Sequence, residues 1–399
     1  MNPIYLDNIA GTKPDTRVVE AVMPYLTDKY GNPAAHFYPL GRESYSALNQ
    51  ARKQVADLIG AEKAESIIFT SNGTESNNIA IKGIMAASSY KKHIIISEIE
   101  HYSIQNPVLK LTNYGYTFTK LPVDKNGRIS PESVANAIKE DTALVAVAHA
   151  NSEIGVIQDI EAIGKLCKEK GVHFHVDAVA SCGFIDIDVK KMNASTLTIA
   201  AQNFYGIRGA AALYVAPEVK LVPLFDGGFQ EKGIRCGSEN IPAIVGLGKA
   251  CEIAKNEMAE YTVKLTKLRN KLIDGLTKHY DFLHITGDRE NRLPYHVSFW
   301  VEYIEGESLL MWYAQKGVYC ASGSACSSNI LAEDEEDLQA SHVLTAVGVP
   351  TDICAGSITM SLSKYIEEED IDHVLKVSPE IIDKLCAMSP AFDSSKIKK

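Results

Sequence analysis

Four short stretches of the sequence hold residues whose type and spacing suit chemistry. In "FTSNGTESNN" (69–78) a strand-like run meets a turn and then a helical pattern. Backbone N–H groups at a helix start, with the Thr74 hydroxyl beside Gly73, make a cradle for phosphate, although a plain capped strand-to-helix turn has the same pattern. In "HVDA", Asp177 ends an apolar strand, which is where open α/β sheets bind ligands. A carboxylate at that depth needs a partner to offset its desolvation. A pyridinium nitrogen is one such partner; a helix capped by a structural Asp is the other reading. "ASGSACSS" (321–328) presents Cys326 among glycine and serines, a loop able to swing a thiol between two sites or to carry an incidental one. His101, in "EHYS", taken alone is more often a satisfied core histidine than a residue stacked on a ring.

The hydrophobic pattern supplies elements to position these residues. Strands are expected at "SIIFT" (66–70), "HIIIS" (93–97), "ALVAVAH" (143–149), "HFHVDA" (173–178), "TLTIA" (196–200) and "AALYV" (211–215). Amphipathic runs such as "AIGKLCKEKG" (162–171) lie between them, and Ser130 with Pro131 suits the start of another helix. This alternation implies an α/β fold, a largely parallel sheet with helices on both faces. Lys249 to Asp274 lacks Gly and Pro, so one long helix leaves this domain. Beyond it, "YHVSFWVE", "SLLMWYAQKG", "SITMSLS" and a helix over 367–385 read as a smaller α+β domain. The expected division is 13–260 for the large domain, with 1–12 and 261–399 forming the small one and carrying a cysteine loop over about 320–341.

At 399 residues the chain fits two domains. Its net charge of -10 disfavours nucleic acid or an acidic membrane surface as partner. No apolar run approaches the roughly 18 residues of a membrane span, and the first residues lack an export pattern. Eight cysteines without C-x-x-C pairs argue against a zinc ribbon or a disulfide scaffold. The expected location is the cytoplasm.

In order along the chain, "YLDNIAGT", "YGNPAAH", "FTSNGTESNN", "EHYS", "ANSEIGVIQDI", "HVDA", "GGFQEKGIRCGSEN", "SGSACSS" and "SHVL" resemble the cysteine desulfurases of iron–sulfur cluster assembly. The resemblance runs essentially end to end. It implies the class V aminotransferase architecture, fold-type I, and pyridoxal phosphate as cofactor. On that resemblance Gly73 and Thr74 hold the cofactor phosphate, His101 stacks on the ring and Asp177 pairs with the ring nitrogen. Ser238 reaches the phosphate in the neighbouring subunit of a homodimer. Cys326 matches the thiol that attacks the substrate sulfur and carries it as a persulfide to a scaffold protein.

The same resemblance marks six departures. The family's lysine, its covalent link to the cofactor, falls on Asn203, and the preceding histidine on Gln202. The phosphate-binding serine falls on Ala200, the glutamine at the phenolic oxygen on Ala180, and an asparagine of "NNEIG" on Ser152. The arginine that clamps the substrate carboxylate falls on Lys364, which keeps the charge without the bidentate fork. An amide forms no imine and shuttles no proton. The first expectation is therefore a desulfurase-like protein acting through Cys326, which carries sulfur or lends its thiolate to iron in a cluster at a scaffold interface. Competing with it are a true enzyme that binds pyridoxal phosphate non-covalently and uses another base, and a non-catalytic scaffold or regulator of the same fold.

Overall fold

The computed structural model describes residues 3–322, 341–350, 357–390 and 392. In chain order the strands are β1 (Ile4–Tyr5), β2 (Ile67–Thr70), β3 (His93–Ser97), β4 (Thr117–Leu121), β5 (Thr142–Ala148), β6 (His173–Asp177), β7 (Thr196–Ala200) and β8 (Ala211–Val215). They continue with β9 (Leu283–Ile285), β10 (His296–Val301), β11 (Val318–Tyr319), β12 (Ala321–Ser322) and β13 (Ser357–Ser361). The larger sheet runs β2-β8-β7-β6-β5-β3-β4. Every pairing in it is parallel except those of β8, which runs antiparallel to both β2 and β7.

The six strands read from sequence are found, each within one residue at either end. Their continuous apolar runs follow from burial on both faces; β3, β7 and β8 are buried at every position. β4 went unread because "TFTKL" is a half-exposed edge strand with no apolar run to mark it. Ser130 caps the helix Pro131–Ala137, its Oγ accepting from Glu132 N at 3.2 Å.

One helix, Ile241–His279, spans 39 residues, well beyond the stretch free of glycine. Gly246, Gly248 and Gly275 lie inside it. At Gly248 a Cβ would come within 2.6 Å of Ala51 Cα in the helix Pro39–Ile59. A glycine here costs about 1 kcal/mol of helix propensity, but it lets two backbones pack closely, and the packing outweighs the propensity.

The second sheet, β12-β13-β10-β9, is antiparallel and is flanked by helices Gly306–Gln315 and Glu368–Met388. The N-terminal segment is stitched to it: β1 pairs parallel with β11, and Ser361 N donates to Leu6 O at 2.6 Å. Residues 341–350 sit on a separate apolar cluster in which Val343, Leu344 and Val349 meet Ile99, Ile154 and Val156. Cys326 and most of the expected cysteine loop lie outside the described residues. Among those described, no helix is long and apolar enough to cross a membrane.

Candidate active site

The carboxyl ends of β2, β5, β6 and β7 open toward one cavity of about 300 Å³. Its first wall is the start of the helix Gly73–Ala87. Asn72 caps this helix, its Oδ1 accepting from Glu75 N at 2.9 Å. Gly73 is buried, and a Cβ there would meet Val179 Cγ2 at 2.9 Å. The bare backbone therefore leaves its first N–H groups and the exposed Thr74 hydroxyl facing a space that a larger residue would fill. Amide donors at the positive end of a 15-residue helix suit a phosphate.

The middle of the cavity is held by a continuous chain of hydrogen bonds. Asp177, at the end of β6, accepts from Val179 N at 2.9 Å through Oδ1 and from Asn77 Nδ2 at 2.7 Å through Oδ2. Asn77 Nδ2 also donates to Ser103 Oγ at 2.8 Å, and Ser103 Oγ lies 2.8 Å from His101 Nδ1. Because Ser103 N also donates to His101 Nδ1, at 3.1 Å, that nitrogen is an acceptor and Nε2 carries the proton. Behind Asn77, its Oδ1 meets His175 Nε2 at 3.0 Å, while His175 Nδ1 lies 2.8 Å from Thr196 Oγ1. Burial pushes the His175 imidazole down to about 3, so it stays neutral and donates from Nε2. His101 is exposed on the cavity wall, not packed in the core. A carboxylate fixed this firmly below a wall with an exposed imidazole fits a phosphorylated pyridine ring.

The turn that follows β7 has a different character. Asn203 closes the short turn Ala201–Asn203 after β7, and Nδ2 donates to Ile9 O at 2.9 Å. Gln202 O accepts from Thr12 N at 2.8 Å and from Thr12 Oγ1 at 3.0 Å, which staples the turn to the N-terminal segment. Gln202, Asn203, Ser152 and Ala180 all line the cavity; Ala200 is fully buried behind it. Among the described lining residues there is neither Lys nor Arg. Lys364 is spent elsewhere: its Nζ bonds Asp15 Oδ2 at 2.6 Å and lies 4.5 Å over the Tyr205 ring. Arg17 first, and Lys364 after it, hold the Asp15 carboxyl well below the usual carboxylate range. Ser238 is exposed and does not reach the cavity of its own chain.

Several site residues were not picked out from the sequence. Asn77 stands one helical turn after Gly73, a spacing that signals a shared face. Asp7 and Glu153 also line the cavity, and both sit inside quoted motifs, yet no local pattern says that they meet. Burial pushes the Glu153 carboxyl up to about 7, against the Ser341 hydroxyl that donates to its Oε2 at 2.5 Å. Glu100 lies just beneath. Burial, and then the nearby Asp177, push its carboxyl up to about 8, while Ser97 Oγ donates to Oε1 at 2.5 Å and Ala148 N to Oε2 at 2.9 Å.

With this geometry established, known proteins supply context. The family described as aminotransferase class-V matches residues 4–374. A cysteine desulfurase IscS of Methanosarcina thermophila is 48% identical over 388 residues, covering 97% of this chain and 94% of that protein. One from Dictyoglomus turgidum is 42% identical, covering 99% and 98%. A solved NifS-like protein superposes with a TM-score of 0.88 at 34% identity, over 96% of this chain and all of the other.

The buried Glu100 sets a pH dependence. An unfolded glutamate ionises near 4.5, whereas the folded one holds its proton to about 8. Between those values the unfolded chain has released a proton that the folded chain keeps, so stability falls as pH rises through the window. Glu100→Gln mimics the protonated acid. Urea unfolding should give similar midpoints for variant and parent at pH 5 and a higher midpoint for the variant at pH 9, corresponding to an unfolding free energy larger by on the order of a few kcal/mol. An equal difference at both pH values would refute this account.

Proposed function

Because the chain belongs to the cysteine desulfurases of the class V aminotransferase fold, we propose that it handles sulfur for iron–sulfur cluster assembly through Cys326, without lysine-dependent chemistry. The observation that carries this reading is a cavity framed for a phosphorylated pyridine in which an amide, Asn203, follows β7 and no described lining residue is Lys or Arg. We read Asn203 as standing at the family's lysine position. When bound, pyridoxal phosphate supplies an electron sink for bond cleavage next to a substrate amino group. Gly73 and Thr74 would hold its phosphate, Asp177 would orient the ring nitrogen and His101 would cover one ring face. None of these supplies an amine for covalent attachment. Gln202 does not titrate, and the Lys364 ammonium is committed to Asp15 and Tyr205.

Thiol chemistry narrows the choice of nucleophile. Burial pushes Cys167 and Cys320 up to about 12 and Cys386 up to about 11, and raises Cys182 and Cys251 further, so these remain inert thiols near neutral pH. Cys326, in its segment of small residues, is the thiol we assign to sulfur transfer. Its thiolate would take the terminal sulfur of a persulfide donor and release the donor's thiolate, which needs no outside oxidant, and then pass the sulfur to a scaffold protein. Thiolate ligation of iron in a scaffold-bound cluster is the same residue's other role. A second reading, an enzyme that holds the cofactor non-covalently and uses another base, has Glu153 in its favour, a cavity carboxyl that burial pushes up to about 7.

Three experiments test these readings. Borohydride reduction with pyridoxal phosphate present should leave no adduct on the 195–210 peptide, and mass spectrometry finding one there would end the lysine-free reading. Cys326→Ser should keep folding unchanged and abolish persulfide labelling, with Cys320 and Cys236 as controls; label carried by either of those instead would refute the assignment. We also read the protein as a homodimer in which Ser238 serves the neighbouring site. Phe37 and Phe229 each leave 94% of their surface exposed in the single chain, and Phe229 lies in the same "GGFQEKGIRCGSEN" segment as Ser238. Light scattering should return twice the 43.6 kDa chain mass, and a monomer at micromolar concentration would refute it.

A further inference from the structure

Glu153 joins stretches of chain that are far apart in sequence. Its carboxyl Oε2 accepts from Ser341 Oγ at 2.5 Å, and its backbone oxygen accepts from Thr359 Oγ1 at 3.3 Å. Thr359 lies opposite Ala321 in the pairing of β12 with β13. Ala321 and Ser341 stand at the two ends of the expected cysteine loop. Both ends are therefore tied to one residue, Ser341 directly and Ala321 through Thr359. Glu153, Ala321, Ser322 and Thr359 all belong to the cavity wall. Glu153 is held in place independently of the loop. Asn151 Oδ1 accepts from Glu153 N at 2.8 Å and from Ile154 N at 3.0 Å, and Asn151 Nδ2 donates to Ile99 O at 2.7 Å.

The contacts of segment 341–350 reinforce this attachment. The Ser341 hydroxyl that donates to Glu153 also accepts from Leu344 N at 3.3 Å and so caps the helix His342–Ala346. His342 Nε2 donates to Glu100 O at 3.0 Å, and its ring centre lies 5.1 Å from that of Tyr102. Val343, Leu344 and Val349 pack with Ile99, Ile154 and Val156, and Ile154 directly follows Glu153. We propose that Glu153 is a positioning residue for sulfur transfer, clamping both ends of the cysteine loop to the cavity wall. The inference rests on the reading of Cys326 as the sulfur carrier, and it gives Glu153 a role other than that of a base. A carboxyl so placed makes the clamp respond to pH. Burial pushes Glu153 up to about 7, against the Ser341 hydrogen bond. Once Ser341 lifts away and water enters, the carboxyl ionises nearer its ordinary 4.5. The clamp therefore weakens as pH rises through that window. His342 responds in the opposite sense, because burial lowers its imidazole and nearby Lys120 and His101 add to the effect. Glu100, raised to about 8, lies in the same region. A ratio of variant to parent cancels the contributions of both.

Hydrogen exchange read by mass spectrometry on the 341–350 peptide tests the clamp, with the β3 peptide 93–97 as a control for global folding. Glu153→Gln keeps an acceptor for Ser341 and removes the titration. Its protection at 341–350, divided by that of the parent, should rise by at least roughly tenfold between pH 5 and pH 8. Glu153→Ala removes the acceptor and should lower protection several-fold at pH 5, where the glutamine variant holds. If the alanine variant also loses protection at β3, Ser341→Ala removes the same bond from the other side and should give the same loss at 341–350. A ratio that stays flat with pH, or an alanine variant as well protected as the parent, would overturn the clamp. Labelling of Cys326 with glutathione persulfide separates this inference from the reading beneath it. A parent that takes no label at Cys326 would overturn the carrier reading, whereas a labelled parent with exchange unmoved by the variants would overturn the clamp alone.

Discussion

The hydrogen bond from Asn77 to Asp177 organises the site. Without Asn77 Nδ2 on its Oδ2, Asp177 would face the cavity with only Val179 N to hold it. The same amide group fixes Ser103, and through Ser103 the tautomer and position of His101. It is fixed in turn by His175, whose neutrality burial enforces. One helix residue thereby links the end of β6, the start of the helix Tyr102–Leu111 and the base of the cavity. Buried polar networks of this kind stabilise only when every member is satisfied, and from Thr196 to His101 each member here has a partner.

That completeness contrasts with other residues that line the cavity. Asn203, Gln202 and Asp7 each keep an oxygen with no donor, and Glu153 and Glu100 are carboxyls that burial raises to about 7 and 8. Such groups cost stability unless something compensates. Folded proteins tolerate them where the cost is offset by function.

Lys364 illustrates how a charge can be retained while its use changes. Its side chain is 10% exposed, and the ammonium sits between Asp15 and the faces of Tyr205 and Tyr365. Asp15 in turn bonds Arg17, which reaches Glu257 on the long helix. The lysine therefore ties the end of the small sheet to the N-terminal segment and the Ile241–His279 helix. A buried pair of this geometry is costly to break from one side, because the remaining charge is stranded. It works as an architectural clamp, and the described cavity wall carries neither Lys nor Arg.

Sequence alone determined the elements whose signals are local. Continuous apolar runs marked the buried strands, Ser130 and Pro131 marked a helix start, and Gly73 with Thr74 marked a helix beginning at a strand end. Asp177 was legible because its position at the end of an apolar strand is itself the signal. What escaped the sequence depended on contacts between distant segments. Gly248 reads as a helix breaker until Ala51 is packed against it. His101 reads as a core residue until Ser103 and the cavity wall place it in the open. Lys364 reads as a substrate clamp until Asp15, some 350 positions away, captures it. Asn203 could be recognised as an amide from the sequence, but that its oxygen would be left without a donor could not. Local propensity is written in neighbouring residues, whereas hydrogen-bond satisfaction depends on which remote groups the fold brings within about 3 Å, and only the tertiary structure decides that.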